Sequence, residues 1–119
     1  MASMSLRTQA RLWWWQRVSA MVLACCVFLH IGVIVYAVHS GLSETAILAR
    51  TRGNWFFGAF YLLFVSMCAV HVPIGLLRIA EEWMNWRGKS AWLAACAISL
   101  LLAMLGLRAV YGVTIGVAP

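Results

Sequence analysis

The chain has 119 residues, 65% of them hydrophobic and 10% charged, with a mean hydropathy of +0.91. That balance excludes a soluble globular domain, in which about a quarter of residues are charged. Nine Lys and Arg against three acidic residues give a net charge of +6, but the basic residues sit at the ends of apolar runs, so they read as topology signals rather than as a nucleic-acid surface.

In chain order, residues 1–11 form a polar arm carrying Arg7 and Arg11. Val18 to Val38 then runs 21 residues without Asp, Glu, Lys or Arg, and the spacing predicts a helix from about Leu12 to Val38. It is too long for the apolar part of a cleaved signal peptide, and no small-residue cleavage site follows it. His39 to Gly53, with Ser-Gly-Leu-Ser-Glu, reads as an outer loop with room for a short surface helix. Gly53 to Leu77 is a second uncharged run of 25 residues, broken only by His71, and predicts a helix over about 54–83. Asn85 to Lys89 reads as a tight inner turn, with Ser90 as N-cap of a third helix to about Val113. Its uncharged stretch, Ser90 to Leu107, is 18 residues, and the apolar character continues past Arg108 to Val117. Each run suits a hydrocarbon core of roughly 30 Å. The expected fold is an all-α membrane protein: one domain over 1–119, three transmembrane helices, part of a larger bundle.

With three crossings, Arg7, Arg11, Arg17, Arg78, Arg87 and Lys89 fall on one side, and Arg50, Arg52 and Arg108 at the other. The bias places the N-terminus inside and the C-terminus outside. Trp13, Trp14, Trp15, Trp55, Trp83, Trp86 and Trp92 lie near span ends, as interfacial belts do. Cys25, Cys26, Cys68 and Cys96 lie within spans without metal-ligand spacing and read as small packing residues. No nucleophile–base pair, phosphate loop or internal repeat is evident, and the chain has no aspartate.

The histidines carry the information. His71, Gly75, Arg78 and Glu82 are spaced 4, 3 and 4 apart, so they share one helix face. An imidazole in lipid is costly and should face protein or a cofactor. One reading is a hydrogen bond to a neighbouring helix. The other is axial ligation of a haem iron, with Gly75 letting a flat macrocycle approach, Arg78 pairing with a propionate and Pro73 bending the helix. At about 1.5 Å per residue, His71 lies roughly 10 Å outward of Arg78 and His30 roughly 20 Å outward of Arg17, so the two histidines occupy different layers. Each would need a partner ligand from another chain. His39 reads as a solvated histidine at the outer interface.

The stretch HVPIGLLRIAEEW, residues 71–83, resembles the second helix of the membrane anchor subunits of succinate dehydrogenase and fumarate reductase. In that family a haem-ligating histidine is followed by a glycine four residues on and by an acid–aromatic pair near the quinone. LWWWQRVSAMVLACCVFLH, residues 12–30, is similar to the family's first helix, and the Gln16-to-His30 spacing resembles that of dihaem members, in which a late histidine binds a distal haem. The likeness spans about residues 12–113. It implies His71 and His30 as iron ligands of two haems b, with Gly75 and Arg78 beside the cofactor. It also implies Arg17, Ser19 and Trp83 near a quinone. Where many members have a tyrosine after the acid, this chain has Trp83, whose indole donates but does not accept.

The function so implied is electron transfer between an iron–sulfur subunit and quinone in a bacterial cytoplasmic membrane. The catalytic flavoprotein and a second membrane subunit would be partners. Two alternatives stand beside it: a cofactor-free anchor or interaction subunit whose histidines bond between helices, and a cytochrome b subunit of another flavoprotein–quinone oxidoreductase.

Overall fold

The computed structural model describes residues 4–116. Four helices follow one another: α1 (Leu6–Ser40), α2 (Glu44–Thr51), α3 (Trp55–Trp83) and α4 (Lys89–Thr114), with no strand among the described residues. The three long helices are each apolar and long enough to cross a membrane, so the chain is a multi-pass membrane protein. The expected α2 is present in the loop between the first two spans.

α1 begins six residues earlier than the sequence suggests. Ser5 caps it, its side chain accepting from the Thr8 N–H at 3.2 Å, and Arg7 to Arg11 contain no glycine or proline to stop propagation. The polar arm is therefore mostly helical; its residues 1–3, like Val117 at the far end, lie outside the described residues. With 35 residues, α1 is about 52 Å long and exceeds the hydrocarbon core. It also absorbs His39, whose Nδ1 lies 2.9 Å from the Val35 carbonyl in the last turn, so this histidine belongs to a helix rather than a loop.

α3 is the middle helix, packed against α1 on one side and α4 on the other. The α3–α4 contact rests on a stripe of small residues: Ala91, Ala95 and Ser99 are buried at intervals of four, the two alanines in one cluster with Leu77 and Ala80. Further along, a Cβ on Gly106 would lie 3.0 Å from a Val65 methyl. Small residues let helix backbones approach, which drives association where lipid removes the hydrophobic effect. Trp92 packs on the same cluster rather than only marking an interface.

The turn between α3 and α4 closes on Asn85 in the left-handed region (φ 50°), a conformation asparagine tolerates better than most residues. The Trp86 N–H returns to the Ala80 carbonyl at 2.8 Å. Ser90 is not the cap of α4. Gly88 stands there (φ 96°), and Ser90, in the first turn, accepts from the Trp86 indole N–H at 2.8 Å.

At the other end, the loop with α2 ties down α4. The Thr51 hydroxyl lies 2.6 Å from the Val113 carbonyl, the Gly53 N–H donates to Thr114 at 2.9 Å, and Arg52 donates to Gly116 at 2.7 Å. These are the carbonyls that a helix C-terminus leaves unpaired. Arg50 does the same for α1, donating to the Gly41 carbonyl at 3.0 Å with its guanidinium over the Tyr36 ring. The two loop arginines that run against the charge bias thus have a local task.

Candidate functional site

At the end of the bundle that carries the 84–88 turn, α1 and α3 meet through four residues in register. Antiparallel packing sets Gln16 against Gly75 and Ser19 against His71. A Cβ on Gly75 would lie 3.3 Å from Gln16 Nε2, so the glycine admits the glutamine amide and brings the helices close. One turn further, Ser19 Oγ is 3.3 Å from His71 Nδ1 and donates to the Gln16 carbonyl at 3.2 Å. Ser19 is fully buried and His71 half-buried. Gln16 Oε1 is buried without a hydrogen-bond partner among the described residues.

Arg78 and the acids lie about two to three turns beyond His71. Arg78 Nη1 pairs with Glu81 Oε2 at 3.3 Å, while Glu82 and Trp83 are exposed. Arg17 also points outward, with its guanidinium 5.2 Å from the Trp13 ring centroid. The structure therefore separates the three residues grouped around a quinone by resemblance. Arg17 and Trp83 are on the surface, and Ser19 is inside against His71.

His30 occupies another layer. It lies eleven residues past Ser19, about 16 Å along α1. Its ring meets Tyr61 and Phe64 of α3 edge to face, each with centroids 5.7 Å apart. Phe64 precedes His71 by seven residues, about 10 Å along α3. The two histidines are thus separated in depth, by somewhat more than the sequence suggests. His30 opens onto an apolar cavity of about 330 Å³ bounded by Thr51, Tyr61, Phe64, Gly106 and Val110. Its Nδ1 is buried with no partner among the described residues, a costly state for a polar atom.

Both histidines suit an axial ligand. His71 has one ring nitrogen engaged by protein and no recorded partner on Nε2 among the described residues, the division that metal-bound imidazoles show. His30 presents a ring in apolar surroundings. The sequence marks Gln16 only by its spacing from His30, not as part of the site. Its signal is a polar amide at the inner edge of a span, three residues before the buried Ser19.

A family model for the succinate dehydrogenase/fumarate reductase transmembrane subunit matches residues 2–107. No curated protein and no solved structure matches the chain.

Proposed function

Because the chain belongs to the succinate dehydrogenase/fumarate reductase transmembrane subunit family, we propose that it is the haem b-binding anchor of a succinate:quinone oxidoreductase. The complex would lie in a bacterial cytoplasmic membrane. Membership makes it one membrane subunit of a multi-subunit complex. The further partners in this reading are an iron–sulfur subunit and flavoprotein on the N-terminal side and a second membrane subunit beside the bundle. The chain brings no acid or base suited to dicarboxylate chemistry, which belongs to the flavoprotein.

The observation that carries the reading is His71, held through Nδ1 by another helix with its remaining nitrogen left for a ligand. A bis-histidine haem supplies one-electron chemistry between the iron–sulfur partner and quinone. The chain's residues would hold that group: His71 as one ligand with Arg78 on the same helix face, Gly75 on that face with its open side toward the Gln16 amide, and His30 as a ligand to a second haem in the other layer. With one histidine per layer, each site takes its second ligand from the partner membrane subunit. Arg17, Ser19 and Trp83 remain the quinone candidates from resemblance, and the exposure of Arg17 and Trp83 leaves both available to a partner's site.

A reduced-minus-oxidised optical spectrum of the purified complex tests this. The expected result is the α-band of b-type haem. A spectrum without haem would favour the cofactor-free reading, which has its own support in the Ser19–His71 contact as an interhelical hydrogen bond.

A further inference from the structure

We propose that Ser19 is a positioning residue that fixes the tautomer and ring orientation of His71, presenting Nε2 rather than Nδ1 to the iron; this rests on the haem reading above.

A serine hydroxyl has one hydrogen and two acceptor lone pairs. Ser19 Oγ directs its hydrogen to the Gln16 carbonyl, 3.2 Å away in its own helix. Toward His71 Nδ1, at 3.3 Å, the oxygen then acts as acceptor. Nδ1 carries the ring hydrogen, so the lone pair is on Nε2. The hydroxyl is fully buried and the imidazole half-buried, so on the Ser19 side water does not compete for the bond that holds the ring.

The backbone arrangement explains why the hydroxyl is within reach. Gly75 and Gln16 set the distance between α1 and α3 one turn nearer the 84–88 turn. Ser19 follows Gln16 by three residues, and His71 precedes Gly75 by four, so one close approach places the next pair in register. Arg17, two residues away from Ser19, points elsewhere and does not take part. A serine bonded to its own helix carbonyl is ordinary by itself. The second bond, to a histidine on another helix, gives it a consequence.

That consequence is electronic as well as geometric. A hydrogen bond accepted from Nδ1–H raises the basicity of Nε2. A stronger axial donor favours the oxidised iron, so Ser19 holds the midpoint potential of this haem down.

The test uses the purified whole complex with Ser19→Ala, Ser19→Thr and His71→Ala, reading haem content, the low-spin ferric electron paramagnetic resonance signal and the haem midpoint potentials. Ser19→Ala should raise the potential of one haem and shift or broaden its low-spin signal. Ser19→Thr, which keeps the hydroxyl, should return both toward wild type. If Ser19→Ala prevents assembly, Ser19→Cys, of similar size and a weaker acceptor, should give a smaller shift in the same direction. Unchanged potential and signal in whichever of these assembles, with His71→Ala still losing that haem, would overturn the proposal alone. An unshifted potential with a raised KM for quinone would overturn it in favour of a quinone contact. A His71→Ala complex with the full wild-type haem spectrum would overturn the haem reading itself.

Discussion

At the turn end of the α1–α3 contact, His71 meets the Ser19 hydroxyl through one ring nitrogen, one turn from the close approach of Gly75 to the Gln16 amide. Roughly 10–16 Å away, His30 meets the edges and faces of Tyr61 and Phe64 beside an apolar cavity, and its buried Nδ1 has no partner among the described residues. The first imidazole is engaged by one hydroxyl from another helix of the chain. The second is packed between aromatic rings, and its buried Nδ1 finds no partner among the described residues. In the function proposed above, the two histidines would be ligand positions of different kinds, one pre-oriented and one completed by a partner.

The strongest way to break this comparison is to remove the complement. The isolated chain in detergent should retain almost no six-coordinate haem, because each layer contributes one histidine; pyridine haemochrome analysis against the assembled complex measures it. A more selective break is His30→Ala, which should abolish one of two spectral components and leave the His71 component intact. Unchanged haem content in that variant would make His30 a packing residue between Tyr61 and Phe64 and place the chain among single-haem anchors.

Smaller effects sharpen the scaffold that holds the two layers apart. Gly106→Leu forces a side chain into the space held by Val65, and overpacking of this kind costs about 1–3 kcal/mol. Thermal unfolding of the complex should show that loss, along with a shift of the cavity-side haem component before the other. Thr51→Val keeps shape but removes the hydroxyl from the Val113 carbonyl. It should cost about 1 kcal/mol and show as faster amide exchange at the end of α4, with haem content unchanged.

Much of this architecture was legible in the residues. Three uncharged runs yield three spans, and their helix ends fall within one or two residues except at the N-terminus. There, Ser5 offered a cap upstream of a breaker-free polar segment, and hydropathy alone does not see polar helix. The turn cap was misplaced for a similar reason: Ser90 has the chemistry of a cap, but Gly88 has the backbone freedom the chain reversal needs. At the site, the helical spacing of His71, Gly75 and Arg78 was readable along one helix. The pairing of Ser19 with His71 was not, because it depends on the register between two helices, and no pattern within either one states that register. The arginines of the outer loop were read by charge counting and make sense only beside the carbonyls they reach.

The central claim is that His71 ligates a haem with the nitrogen that Ser19 leaves free. It is tested most directly by an optical redox titration of the purified complex carrying His71→Ala, compared with the wild-type complex. One b-type component should disappear or become high-spin while the other keeps its potential; a titration indistinguishable from wild type would contradict ligation by His71.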